Sequence, residues 1–279
     1  MSYVSTSDHT QLYCKDWRAE SANPAQRTVL LLAGWPFSAD SWDDAALAFA
    51  EAGHRVIAYD RRGFGRSSQP FGGYDYDTLA DDLNAVLSHT DARNVVLIGF
   101  SMGGGEVARY LARYPQNACI KAAFVASVAP FKVVVSADSS GEAAAAFEKT
   151  KQAILADRAA FFVGFFDKFF GAPAIAHPIS DAQLLWARSI ALQACLPATL
   201  GCLQAFSHTN FDADLATIKV PTLVIHGSDD KIVPISDAGR KKALAIPFSK
   251  LIEYPGAPHG LFATHKVQLI HDLLRFIES

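Results

Sequence analysis

The sequence predicts an α/β fold: a mostly parallel sheet flanked by helices, with a helical cap inserted between two of its strands. Three observations carry this reading. Six short β-branched runs are apolar along nearly their whole length, as strands covered on both faces must be. Helix-like segments separate most of these runs, the order that builds a parallel sheet through right-handed crossovers. The alternation then breaks off between Pro130 and Val220, where alanine- and phenylalanine-rich helical sequence takes over.

Taken in chain order, "TQLYCKDW" alternates and stands ahead of the first apolar run, which predicts an antiparallel strand at the sheet edge. "TVLLLAG" (28–34), "RVIAYD" (55–60), "NVVLIGF" (94–100) and "IKAAFVASV" (120–128) predict the next four strands. In "YDTLADDLNAVLSHTD", Leu79, Leu83, Val86 and Leu87 fall at i, i+4, i+7 and i+8, one face of a helix. "SGEAAAAFEKTKQAILAD" and the aromatic run "AAFFVGFFDKFFGAP" predict helices of the insertion. Most of these phenylalanines are expected in helix packing. Some should face a pocket, because cavities form where such a lid meets a sheet. "PTLVIHG" (221–227) and "SKLIEYPG" (249–256) return to strand. The core is thus expected over residues 1–130 and 211–279, with the cap over 131–210.

Composition narrows the function. Of 279 residues half are apolar and 19% are charged, enough to bury a large core and opposite to the composition of a disordered chain. A formal charge of −3 offers neither a basic surface for nucleic acid nor a polybasic membrane anchor. The polar start "MSYVSTSDHTQLYCKDW" lacks the order of a signal peptide, and apolar stretches such as "AAFVASVAPF" stop short of a bilayer span. Cys14, Cys119, Cys195 and Cys202 are scattered without metal-ligand spacing and read as reduced, mostly buried thiols. A cytoplasmic protein acting on a small molecule, without metal or cofactor, is the expectation.

The chemistry is concentrated in "GFSMGGGEVARY". Gly99-Phe100-Ser101-Met102-Gly103 places a serine between glycines where a strand ends and a helix begins. In that context G-x-S-x-G is a nucleophile elbow, a turn so tight that the flanking positions tolerate almost no side chain. Gly104 and Gly105 are expected to let the new helix approach neighbouring strands, at some cost in helix propensity. The helix N-terminus adds amide donors and positive partial charge where negative charge would develop.

A serine hydroxyl needs a base, and the base an orienting acid. The loop after "VIHG" carries Asp229 and Asp230, either of which would serve as the acid. The loop after the last strand carries His259, alone among nine histidines in its placement. Both loops lie at carboxyl ends of parallel strands, where open α/β sheets bind ligands. His226 reads as structural. His9, His54, His89, His177, His208, His265 and His271 read as surface or packing residues. For an oxyanion the expected donors are the backbone N–H groups of Met102 and Trp35, since Pro36 has none. Trp35 and Ile232 are the residues expected against substrate. "DRRGFGRSSQP" (60–70) carries three arginines but no glycine pattern leading into a helix, and reads as a structural loop with ion pairs.

"GWPFSADSW", "VIAYDRRGFGRSSQP", "GFSMGGGEVARY", "VPTLVIHGSDDKIVPI" and "GAPHGLFATHKVQLIHDLLRFI" together resemble the cofactor-free bacterial haloperoxidases, also classed as arylesterases and perhydrolases, of the α/β-hydrolase fold. The resemblance runs to about Pro130 and resumes near Phe211. It implies Ser101 as nucleophile, His259 as base and Asp230, the last residue of H-G-x-x-D, as acid, with Trp35 and Met102 at the oxyanion. It also implies hydrolysis of aryl and short-chain esters without cofactor, peracid formation from carboxylic acids and peroxide, and a homo-oligomer. Some relatives open lactones or lactams. Here Ala33-Gly34 stands where the family usually has histidine-glycine.

The leading expectation is therefore a carboxylic ester hydrolase working through an acyl-enzyme. A second reading gives the same site mainly to perhydrolysis or to lactone and lactam opening. A third is a ligand-binding hydrolase fold without catalysis, since fold does not fix function. Pro36 admits two readings. It either aims the Trp35 carbonyl at an incoming peroxide, or merely shapes the turn.

Overall fold

A computed structural model of the chain describes residues 2–18, 26–116, 118–130, 141–171 and 179–279. Eight strands form one sheet: β1 (Ser2–Ser5), β2 (Gln11–Trp17), β3 (Thr28–Leu32), β4 (Arg55–Tyr59), β5 (Val95–Phe100), β6 (Cys119–Val125), β7 (Thr222–Gly227) and β8 (Ser249–Tyr254). Their order is β1-β2-β4-β3-β5-β6-β7-β8, parallel from β4 to β8 and antiparallel at β1 and β2. β3, β5 and β7 are buried along their whole length, so both faces of the sheet are covered.

The helices are α1 (Asp43–Glu51), α2 (Tyr76–His89), α3 (Met102–Arg113), α4 (Gly141–Ala156), α5 (Arg158–Phe170), α6 (Asp181–Leu192), α7 (Leu196–His208), α8 (Asp212–Ala216), α9 (Gly239–Ala245), α10 (Leu261–Thr264) and α11 (Lys266–Glu278). The period found at residues 79–87 holds: Leu79, Leu83, Val86 and Leu87 are all buried on α2. α1 packs with α11, and α2 with α3. Among the described residues, helices α4 to α8 lie between β6 and β7, where strand-like sequence is lacking. His177 lies outside the described residues. Among these residues no single helix is long and apolar enough to cross a membrane.

Two expectations change. β2 is antiparallel but does not lie at the edge, because β1 pairs outside it across a tight turn with His9 at φ 64°. Four residues of which only Val4 is buried are too short and polar to announce a strand, and only the pairing with β2 makes one. Strands β3 and β6 also stop earlier than their apolar runs. Ala33, Gly34, Ser127 and Val128 have left the ladder.

The arginine loop is structural, as read. Arg62 is buried against Asp82 and Asp8, Arg66 reaches Asp60 and Asp40, and Arg61 pairs with Glu106 of α3. Arg61 also donates to the Ala33 carbonyl at 2.6 Å. The loop before Trp35 is therefore tied to α3 through Arg61, at Ala33. Burial pushes the thiols of Cys14, Cys119 and Cys202 up to about 12, which suits packing rather than chemistry.

Candidate active site

Ser101 follows the last residue of β5 with φ 50° and ψ −116°, a conformation a non-glycine residue adopts only when its surroundings impose it. The imposition is visible on both sides of the turn. A Cβ at Gly99 would press on the Gly103 carbonyl, and one at Gly103 would come within 2.6 Å of the Leu32 carbonyl in β3. Gly104 likewise faces Ser127 beyond β6, as expected. Gly105 does not face a strand: it meets the Tyr76 ring of α2. Three glycines thus seat the helix against the sheet and its neighbour helix.

The structure brings Ser101, His259 and Asp230 together. The Ser101 hydroxyl donates to His259 Nε2 at 2.9 Å, and His259 Nδ1 donates to Asp230 Oδ2 at 2.7 Å. Both bonds require the tautomer with hydrogen on Nδ1, which leaves Nε2 free to accept the serine proton. All three residues are buried. The loops that carry Asp230 and His259 are joined by their backbones, since Asp229 N–H donates to the Ala257 carbonyl. Phe100 and Phe169 pack on the His259 ring, and the Gly260 N–H donates to the Phe169 carbonyl at 2.7 Å. Helix α5 therefore fixes the histidine loop from above.

The two aspartates have different surroundings. Asp229 is half exposed and pairs with Lys231 in solvent. Asp230 spends Oδ1 on the amides of Ile232 and Val233, at 2.9 and 2.8 Å, and Oδ2 on His259. Burial by itself would raise the Asp230 carboxyl. Its histidine partners outweigh burial and hold it well below the ordinary carboxylate range.

Sequence reading missed one contact of this carboxylate. His226, taken as structural, sits with Nε2 3.2 Å from Asp230 Oδ2. Its i, i+4 spacing to Asp230 was the available signal, but such a spacing carries no meaning in a strand-to-loop turn until the fold is known.

Above Ser101 and His259 opens a cavity of about 750 Å³. Trp35 and Ile232 both line it, together with Val128 and rings from the inserted helices. Along α5, Phe161 and Phe165 face the cavity, whereas Phe162, Phe166, Phe169 and Phe170 are buried in packing. The helical period separates the two sets. Phe147 and Phe206 complete the aromatic wall. Trp35 is pinned at both ends: its indole N–H donates to the Thr199 carbonyl, and its ring meets Phe161, Phe162, Phe165 and Phe206 edge-on or tilted. The Trp35–Pro36 peptide is cis. Met102 opens α3, so its amide has no acceptor inside the helix.

A serine hydroxyl, a base and a carboxylate joined in series under an apolar cavity is an arrangement suited to acyl transfer. Comparison with known proteins points the same way. Residues 27–266 match the α/β hydrolase fold family. A non-heme chloroperoxidase of Streptomyces lividans is 40% identical over the whole of both chains. A bifunctional esterase/perhydrolase of Acinetobacter calcoaceticus is 37% identical, again over the full length of both. The crystal structure of a bromoperoxidase from Bacillus anthracis superposes with a TM-score of 0.91 at 39% identity, covering 100% of this chain and 99% of that one. With full-length relatives at this identity, the chain belongs to the α/β-hydrolase fold family and, within it, to the non-heme haloperoxidases and esterase/perhydrolases.

Proposed function

We propose that this enzyme hydrolyses carboxylic esters, aryl or short-chain acyl, through a covalent acyl-enzyme on Ser101. His259 Nε2 takes the serine proton as Oγ attacks the ester carbonyl. The backbone N–H groups of Trp35 and Met102 hold the tetrahedral oxyanion, and His259 returns the proton to the leaving alkoxide or phenoxide. A water, deprotonated by the same nitrogen, then releases the acid and restores the serine. Asp230 keeps the imidazole in the required tautomer and supports its cationic form. Its lowered carboxyl remains ionised throughout the working range.

The observation that carries the proposal is the unbroken chain Ser101–His259–Asp230, at 2.9 and 2.7 Å, opening into an aromatic cavity. An apolar wall favours aryl groups and disfavours strongly charged acyl chains. The likeness to an esterase/perhydrolase supports a second use of the same acyl-enzyme, attack by hydrogen peroxide to give a peracid.

The test uses a fluorophosphonate probe and p-nitrophenyl acetate on wild type and Ser101→Ala. Stoichiometric labelling and turnover are expected in wild type, with both abolished in the folded variant. Loss of one triad member leaves only the residual catalysis of binding and oxyanion donors. A wild-type enzyme inert to both reagents would favour a binding role for the fold. A panel of aryl esters, lactones, lactams, and peroxide with acetate then ranks the activities.

A further inference from the structure

His226 is the penultimate residue of β7, fully buried, and placed where an imidazole is costly. Its Nε2 has two neighbours, the Val233 carbonyl at 2.8 Å and Asp230 Oδ2 at 3.2 Å. Both are acceptors, so Nε2 carries the ring hydrogen. Nδ1 is then a buried acceptor, and among the described residues it has no hydrogen-bond partner. Helix α9 closes over that side of the ring. A Cβ at Gly239 would lie 2.9 Å from both Cγ and Nδ1 of His226. A buried nitrogen without a partner is unfavourable, and an apolar side chain of similar volume would avoid it. Packing therefore does not account for the imidazole, whereas its Nε2–H does.

That hydrogen closes a ring of bonds. His226 Nε2–H points at the Val233 carbonyl and at Asp230 Oδ2, while the Val233 N–H donates to Asp230 Oδ1. The carboxylate is thus held at both oxygens, and the loop that bears it is clipped to the end of β7. Ile232 and Val233 of this loop also line the cavity.

We propose that His226 is a positioning residue for Asp230, holding Oδ2 toward His259 Nδ1 so that the base keeps its tautomer and orientation through the catalytic cycle. The proposal rests on the serine hydrolase reading above. It predicts an effect on kcat rather than on KM, because His226 touches neither the cavity nor substrate.

The test compares His226→Leu with His226→Gln. Glutamine carries its amide N–H near the Nε2 position, whereas leucine fills similar volume without a donor. For p-nitrophenyl acetate, His226→Leu should lower kcat by about tenfold to a hundredfold with KM within about twofold of wild type. His226→Gln should recover most of that loss although both variants melt at similar temperatures. Phosphonate labelling rates should fall and recover in parallel. Should His226→Leu fail to fold, His226→Asn, whose shorter amide does not reach the Nε2 position, replaces it with the same expected loss. Equal kcat in the donor and non-donor variants, or wild-type kcat in either non-donor variant, overturns the proposal. Ser101→Ala is run alongside: if it still hydrolyses the ester at the wild-type rate, the serine hydrolase reading has failed instead.

Discussion

Replacing Asp230 by asparagine changes one oxygen into an NH₂ group, and the structure says where that group must go. Oδ1 accepts from two amides, Ile232 and Val233, while Oδ2 accepts from His259 Nδ1. If the new NH₂ takes the Oδ1 position, it faces two N–H donors and leaves both unsatisfied, at about 1–3 kcal/mol each. If it takes the Oδ2 position, it faces only His259 and His226, and His259 can relieve the conflict by moving its hydrogen from Nδ1 to Nε2. The second arrangement wins. Its consequence is an imidazole that donates to Ser101 and no longer accepts from it. Asp230→Asn should therefore fold with a nearly unchanged cavity and lose about 10⁴ in kcat, or roughly 5.5 kcal/mol of transition-state stabilisation. Asp229→Asn removes only a solvent-exposed pair with Lys231 and leaves the backbone bond to Ala257 intact, so its kcat should stay within about twofold. Steady-state hydrolysis of p-nitrophenyl acetate, with circular dichroism to verify folding, measures both. An Asp230→Asn enzyme retaining a tenth of wild-type turnover, or an Asp229→Asn enzyme equally impaired, would refute the tautomer argument.

Three further outcomes are expected. In Pro36→Leu, peracid formation from acetate and peroxide should fall relative to ester hydrolysis if the Trp35 carbonyl assists peroxide; an unchanged ratio makes Pro36 a residue of the turn alone. Glu106→Gln leaves the buried Arg61 guanidinium without its counter-charge and should cost about 3 kcal/mol, seen as a fall in Tm of roughly 6–12 °C; a Tm within about 2 °C of wild type (about 0.5–1 kcal/mol) contradicts it. Lys242 is buried, its amine donating to the Ser127 carbonyl and lying 5.1 Å from the centre of the Phe124 ring, and burial drives that amine well below the ordinary lysine range. The unfolded chain therefore binds a proton that the native chain resists, so wild type loses stability as pH falls below the unfolded lysine value near ~10.4. Lys242→Met removes that penalty, and its Tm advantage over wild type should grow as pH is lowered from 10 toward 7 (a span on the order of three units below ~10.4), whereas a difference independent of pH would count against it.

Much of this molecule is local, and local features are legible in a sequence. A strand covered on both faces has to be apolar throughout, so β3, β5 and β7 announce themselves in runs such as "TVLLL" and "TLVIHG". A serine held at positive φ between a strand and a helix needs glycines on either side, so the elbow at Ser101 is written in consecutive residues. Strand ends in a parallel sheet point one way, which is why the loops of Asp230 and His259, 129 and 158 residues beyond Ser101, are placed on its side of the sheet by the sequence alone. What depends on meeting distant chain segments was not legible. β1 is too short and polar to signal itself and exists through its pairing with β2. Gly105 was assigned to a strand contact because nothing in its neighbourhood names Tyr76 as the partner. The cap phenylalanines divide into Phe161 and Phe165 on the cavity and Phe162, Phe166, Phe169 and Phe170 in packing only once α5 has a fixed rotation over the sheet. The same holds for His226: its residue type is plain in the sequence, but a hydrogen bond depends on a few tenths of an ångström, and only the closure of α9 and the loop at 228–233 sets its Nε2 against Asp230.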